Sequence, residues 1–154
     1  MVSYATVAYA DEFLGTLLGT DAWSSASAAD KERALAAATL AIDALESVGG
    51  GFLGRRTDPA QERAFPRAPG IDIPAAVQQA CALEAAALLE DSIDPAAKRR
   101  TRDIRQGVTA VSVGGVSESY VTQKGGGAGG RLLSDPALSL LRPWRVAKGV
   151  YPIR

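Results

Sequence analysis

The 154-residue sequence predicts a mainly α-helical bundle with one β-hairpin and an extended C-terminal arm. Alanine-rich runs place apolar residues at steps of three and four, the spacing of an amphipathic helix. One stretch alternates apolar and polar side chains on both sides of Gly114-Gly115, as a hairpin does. The last residues follow no periodic pattern. We therefore expect one helical domain over residues 1–142, with the hairpin at about 108–122, and a C-terminal docking tail over residues 143–154.

The first third of the chain contains clear helix boundaries. Thr6 is expected to cap a first helix that stops at Gly19, and Trp23 is expected to fill the core just after it. Ser27 caps the next helix, which ends at the glycines of positions 49–51. Apolar residues at helical spacing define the buried stripe of this helix: Leu35, Ala38, Ile42 and Leu45.

A long connection is predicted over residues 51–73. Prolines at positions 59, 66 and 69 forbid a continuous helix there. Phe52 and Phe65 are expected to hold the connection against the helices. Loops of this length in a compact domain are usually functional or serve interactions.

The second half of the chain contains further predicted helices. One starts at Ile73-Pro74 and runs to about Glu90, with Cys81 as a small buried residue inside it. A shorter helical piece is expected at about 96–102, before the hairpin. Residues 123–130 are too rich in glycine to order themselves, and Ser134 caps a last helix.

Composition excludes several classes of site. The chain has no histidine and one cysteine, so an intrachain disulfide, a zinc site of the Cys/His type and an imidazole-dependent nucleophile are all ruled out. No glycine-rich run has the Gly-Lys-Ser/Thr of a phosphate-binding loop, and no local carboxylate pair favours acid–base catalysis. We expect no enzymatic activity, no cofactor and no membrane partner.

Charge is distributed unevenly, although the formal net charge is zero. Residues 1–50 carry two basic and seven acidic groups, whereas residues 97–154 carry eleven basic and three acidic groups. Such asymmetry suits head-to-tail contact between copies or an acidic partner, and it equally suits two solvated faces. Five basic side chains are candidates for contact with DNA or with a neighbouring subunit: Lys98, Arg99, Arg100, Arg102 and Arg105. No aromatic residue is interleaved with them, as single-strand binders usually require, and contact between subunits is preferred.

Short motifs recur along nearly the whole chain, and they are residues 4–11, Ala22-Trp23, residues 63–67, Ile73-Pro74, residues 111–120, residues 132–134 and residues 141–143. Together these motifs resemble those of the small head–tail connector proteins of tailed phages, also called adaptor or head-completion proteins. The tail after residue 143 is longer than that family leads us to expect. Similar sequences also carry the name of DnaT-like single-stranded-DNA-binding proteins.

The resemblance implies a structural virion protein at the head–tail neck, assembled in the host cytoplasm. It implies a twelve-fold ring of identical subunits between the portal protein and a stopper or tail-terminator protein. Packaged double-stranded DNA would pass through this ring. The residues expected to dock on the portal are Trp144, Arg145, Val150, Tyr151, Ile153 and Arg154. The residues expected at the ring or tail interface are Val111, Val113, Val116 and Tyr120.

Two alternatives stay open at this point. The first is a DnaT-like replication accessory protein that binds single-stranded DNA through its basic segment. The second is a helical interaction domain of cellular origin. Charge reversal in the basic segment separates the first alternative from an adaptor, because it abolishes DNA binding in one and disturbs only assembly in the other.

Overall fold

The computed structural model describes residues 3–47, 51–93, 110–113, 116–119 and 132–146. Helix α1 spans Val7–Leu14, and the Thr6 side chain caps it by accepting a hydrogen bond from the Tyr9 N–H. Helix α2 is a short segment, Asp21–Ser25, that buries Trp23. Both predictions, the Thr6 cap and the buried tryptophan, are confirmed.

Helix α3 spans Ala28–Ala44 and ends in a 3₁₀ turn, Leu45–Ser47. The Ser27 hydroxyl accepts a hydrogen bond from the Asp30 N–H at 3.2 Å and donates one to the Asp30 carboxylate at 2.6 Å. Ser27 thus pairs one of the free backbone amides in the first turn of the helix. The predicted stripe of Leu35, Ala38, Ile42 and Leu45 is fully buried. Residues 48–50, where the helix was predicted to end, lie outside the described part of the chain.

Helix α4, Ala75–Ile93, is the central element of the bundle, because α1, α2, α3 and the last helix α5 (Asp135–Leu141) all pack against it. Its buried positions are mostly small, which lets neighbouring helices approach closely. They include Val77, Ala80, Cys81, Ala82 and Ala85. Ser134 caps α5 by accepting from the Ala137 N–H, as predicted. Among the described residues, no helix is long and apolar enough to span a bilayer.

The predicted fold class is wrong as a whole, although its helical class agrees with the structure. The packed part of the chain, residues 3–47, 51–93 and 132–146, contains no β-strand, so no hairpin is built into the bundle. Outside it, β1 (Ala110–Val113) and β2 (Val116–Ser119) form an antiparallel ladder of four residues each, and the rest of 108–122 lies beyond the described residues. A ladder of this size is too small to form a layer of its own.

The start of the predicted C-terminal arm is also corrected. A 3₁₀ turn, Arg142–Trp144, follows α5, and the next residues run antiparallel to the start of the 51–73 connection. The Leu53 N–H donates to the Trp144 carbonyl at 2.7 Å, and the Val146 N–H donates to the Gly51 carbonyl at 3.1 Å. Residues 144–146 therefore belong to the folded body, because backbone pairing and ring packing hold them there.

Candidate functional site

The described body and the segment that interrupts it carry opposite charge. Residues 3–47, 51–93 and 132–146 contain eight basic and fourteen acidic groups, a formal net charge of −6. Residues 94–131, which connect α4 to α5, contain seven basic and three acidic groups, a net charge of +4. All five predicted contact residues of the basic segment fall in this connection, outside the described residues. The structure thus shows where the 94–131 connection leaves the body, after α4, and where it returns to the body, before α5.

A buried carboxylate on α4 fixes the point of return. Glu84 is 1% exposed, and its two oxygens accept the backbone N–H groups of Leu133 and Ser134, each at 2.9 Å. These amides lie directly before α5, where a negative charge is favoured by the helix dipole. Glu84 thereby joins the middle of α4 to Ser134, which lies 50 positions later in the chain, just after the 94–131 connection.

The 51–73 connection is held by one buried guanidinium. Arg67 has a side chain only 7% exposed, and it donates to the Glu46 carboxylate at 2.8 Å. It also donates to backbone carbonyls at 2.6–3.1 Å, and these belong to Phe52, Leu53, Gly54 and Ala64. The planar fork of arginine can serve this many acceptors at once, whereas a lysine cannot. The connection is therefore a fixed surface of the molecule.

A second polar cluster ties the same connection to the N-terminus. The Tyr4 hydroxyl donates to Asp43 and accepts from the Phe65 N–H at 3.1 Å. Asp43 also accepts from the Ala64 N–H and from Arg63, each at 3.0 Å. Burial, and then the contact with Asp43, raise the pKa of Tyr4 far above its usual value, so this phenol stays protonated. The cluster is structural.

Glu46 makes stability depend on pH. Its hydrogen bond from Arg56 is the largest cause that lowers its pKa below the ordinary 4.5, and Arg67 adds to it against the cost of burial. Because the folded pKa is the lower one, this contribution is fully present above the unfolded value and is lost as the pH falls through the folded value. Glu46→Gln is expected to be less stable than the wild type near neutral pH, with the difference closing as the pH falls below 4.5 in urea titrations.

The exposed Glu62 on the same connection provides the control for this experiment. Glu62→Gln changes an exposed side chain and should keep the unfolding free energy of the wild type within about 0.5 kcal/mol in the same experiments. A Glu46→Gln difference that stays constant on acidification would contradict the ion-pair explanation.

The structure describes two of the predicted docking residues, Trp144 and Arg145. The half-buried ring of Trp144 lies edge-on to Phe65, with centroids 5.9 Å apart, and the backbone of Arg145 forms an antiparallel β-bridge with that of Phe52. Both therefore serve the body itself. The other predicted docking residues, Val150, Tyr151, Ile153 and Arg154, lie outside the described part of the chain.

The predicted interface residues of the hairpin also lie partly inside and partly outside the described residues. Val111 and Val113 lie on β1 and Val116 on β2, where Val113 pairs with Val116, while Tyr120 lies outside the described residues. The described pairing of these strands is with each other.

Aromatic rings of the described body mostly pack with one another. Phe65 lies edge-on to Tyr4 at 5.9 Å and to Phe52 at 4.8 Å, and all three are buried. Trp23 is also buried, and its indole N–H donates to Asp11 at 2.8 Å. Tyr9 and Phe13 on α1 are half-buried and stack on each other, with centroids 6.5 Å apart. Partly exposed rings that could contact a ligand are thus found on α1 and at Trp144.

Reactive chemistry is not favoured by the described groups. Burial raises the pKa of the Cys81 thiol, which lies 3.5 Å from the Thr39 hydroxyl in the core, as its predicted structural role requires. In the part of the chain that the structure describes, no cluster of acidic or cysteine side chains could hold a metal ion.

Sequence reasoning assigned no role to Glu84 or Arg67. Glu84 stands in an alanine-rich helical run, where a lone carboxylate is normally a solvated residue. Arg67 stands in a proline-rich loop with three other arginines. The one available signal for Arg67 was the length of a loop that must satisfy its own backbone groups.

Comparison with protein families places the chain in a described family. The model of a family described as "Putative DnaT-like ssDNA binding protein" matches residues 2–149. No curated protein and no solved structure matches the chain.

Proposed function

The chain belongs to the family described as "Putative DnaT-like ssDNA binding protein", and from that premise we propose that it binds single-stranded DNA through the basic residues of positions 98–105. The observation that supports the proposal most is the separation of charge between a body of −6 and a connection of +4. The negatively charged body repels the phosphates of DNA, whereas the positively charged 94–131 connection attracts them. DNA therefore binds to this connection.

The body holds the 94–131 connection at both ends. This connection starts after α4, and Glu84 binds the amides of Leu133 and Ser134 where the connection returns to the body. Closing the connection at a fixed point limits the conformations that must be lost when its basic groups contact phosphates. Residues 98–105 contain no aromatic side chain for base stacking, so we expect electrostatic, sequence-tolerant binding with a strong dependence on salt.

Charge reversal of Arg99, Arg100 and Arg102 to Glu tests the proposal. In fluorescence anisotropy with a labelled oligothymidylate at low salt, the triple variant should lose about 100-fold or more in affinity. The slope of log K against log salt should change from about −3.5, for five phosphate contacts, to about −1.4, for the two contacts that are left. These changes follow from fewer counterions released on binding.

A control variant with the same change in charge reverses three exposed arginines of the body, Arg33, Arg55 and Arg142. Its affinity and salt slope should stay close to those of the wild type. An equal loss in both variants would mean that only overall charge matters, and a wild-type chain that does not bind at low salt would refute the proposal.

A structural role as a head–tail adaptor is a second candidate, supported by the sequence motifs and by one charge observation. The exposed carboxylates of Glu12, Asp21 and Glu32 make no ion pair with other described residues, and they lie in the first third of the chain. The basic residues 98–105 of a neighbouring subunit are complementary to them, as a ring requires. Under this role the charge-reversed triple variant fails to form rings with the portal protein, and the wild type sediments with the portal and not with the oligonucleotide.

A further inference from the structure

Helix α1 presents an apolar stripe that the bundle does not cover completely. Tyr9 and Phe13 stack on each other and are half-buried, whereas the core side of the helix is formed by Ala10 and Leu14. Tyr9 and Phe13 lie four residues apart on one face of α1. A turn follows the helix, in which the Leu17 N–H donates to the Leu14 carbonyl at 3.0 Å.

The far end of this stripe is open to water. Leu17 is 38% exposed, and Leu18 is fully exposed in the turn before Gly19. Glu12 follows Tyr9 by three residues and precedes Phe13, so its carboxylate lies beside the aromatic pair. Glu12 and Asp21 are exposed and have no ion-pair partner among the described residues. The surface of Tyr9, Phe13, Leu17 and Leu18 with the Glu12 carboxylate is called the α1 stripe below.

The end of the same chain has the complementary chemistry. Residues 147–154 combine apolar side chains with two cations, Lys148 and Arg154, and contain no acidic residue. The apolar members of this tail are Ala147, Val150, Tyr151, Pro152 and Ile153. An apolar strip with an acidic rim is matched by an apolar peptide that carries basic groups.

The described start of the tail lies on the N-terminal side of α1, whereas the exposed leucines follow the C-terminus of this helix. Trp144 lies on Phe65, and Phe65 lies on Tyr4 just before α1, each with ring centroids 5.9 Å apart. Helix α1, Val7–Leu14, is about 12 Å long, and eight residues reach about 26 Å when fully extended. Contact with the chain's own stripe and contact with a second copy therefore differ in their dependence on concentration, which the experiments below measure.

We propose that residues 147–154 of one copy dock on the α1 stripe of a second copy. The contact joins two different surfaces, so it is heterologous and each copy keeps one free stripe and one free tail. Copies therefore add head to tail, into a closed ring or an open chain according to the rotation between them. The inference does not rest on DNA binding, since the assembly forms without nucleic acid.

Sedimentation velocity of the full-length chain over a range of concentrations tests this contact. The wild type is expected to form species larger than a monomer as the concentration rises. Leu18→Glu should abolish them, because it introduces a charge among apolar side chains without disturbing the core. Leu40→Glu changes a half-exposed leucine on α3 and should assemble like the wild type.

A mixing experiment identifies the two halves of the contact. A chain that ends at Val146 keeps its stripe and lacks the tail, while Leu18→Glu keeps the tail and lacks a working stripe. Each should be monomeric alone, and their mixture should form a one-to-one dimer that grows no further. Glu12→Lys should weaken assembly, and combining it with Lys148→Glu and Arg154→Glu should restore it.

Three results would overturn the proposal. The first is a wild-type chain that remains monomeric at every concentration. The second is assembly that survives both Leu18→Glu and removal of the tail. The third is a tail deletion that alters a monomer without any dependence on concentration, because this places the tail on its own chain.

Discussion

An Arg67→Ala chain is expected to lose about 3–5 kcal/mol of its unfolding free energy, since it removes one partner of a buried ion pair. The substitution leaves Glu46 without one of its two arginines and frees the carbonyls of Phe52, Leu53 and Gly54. These acceptors lie under a guanidinium that water hardly reaches, so the unpaired groups are not readily rehydrated. Urea denaturation followed by circular dichroism measures the loss directly.

Two further variants show whether geometry or charge matters at position 67. Arg67→Lys keeps the charge but not the fork, and it is expected to lose most of the same free energy. Arg55→Ala removes an exposed arginine of the same connection and should change stability by no more than about 0.5 kcal/mol. Equal urea midpoints for Arg67→Ala and Arg55→Ala would show that the buried network contributes nothing.

Phe65→Ala is expected to destabilise the chain by about 3–5 kcal/mol, the usual cost of truncating a buried aromatic side chain. The Phe65 ring is 2% exposed and packs against the rings of Tyr4, Phe52 and Trp144. Its removal opens a cavity where the N-terminus, the 51–73 connection and the start of the tail meet. Trp144 then gains access to water, which shifts its fluorescence to the red.

A Trp23→Phe background isolates the Trp144 signal, because these are the only two tryptophans of the chain. Phe65→Leu retains an apolar side chain and should cost less than about 1.5 kcal/mol. An unchanged Trp144 spectrum in Phe65→Ala would mean that the edge-on contact does not hold the start of the tail.

The two effects should not add. Arg67 binds the carbonyl of Phe52, and Phe65 packs on the Phe52 ring, so both substitutions act on one contact region. Residues that share partners in this way show coupling of about 0.5–3 kcal/mol in double variants. The double variant therefore reports how far the connection behaves as a single unit.

These structural properties constrain function in different ways. A rigid connection offers a preformed surface at Leu53 and Ile71, both exposed, while the basic residues 98–105 are attached to the body through α4 and Glu84. The proposed DNA binding depends on the basic residues 98–105, whereas the proposed self-assembly depends on α1 and on the tail. Substitutions at one surface should therefore leave the other activity unchanged, provided that the chain stays folded.

Local patterns in the sequence predicted the starts of α1, α3 and α5 correctly, although α1 ends at Leu14 and not at Gly19, and the helix predicted at about 96–102 lies outside the described residues. The caps at Thr6, Ser27 and Ser134 each bind an amide three residues further along, so the information lies within one helical turn. The buried stripe of α3 was predicted from its spacing for the same reason. The burial of Trp23, Phe65 and Cys81 also followed from residue type, because large or small apolar side chains gain most from leaving water.

Contacts between distant parts of the chain could not be predicted in this way. Arg67 binds Glu46 across 21 positions and Glu84 binds Ser134 across 50, and no local pattern records such partners. Trp144 belongs to a segment without periodicity, which led to its prediction as part of an extended docking tail. Packing against Phe65 instead places it in the body.

The sequence by itself thus determined a helical protein without histidine chemistry, the position of its caps and the concentration of basic charge in the second half. Periodicity, capping and charge are properties of neighbouring residues, which is why a sequence displays them. Only the tertiary structure decided that the alternating stretch forms no layer of the bundle, that Arg67 makes the long connection rigid and that Glu84 holds the return of the basic segment. These features depend on burial, and a group is buried only when remote residues exclude water from it.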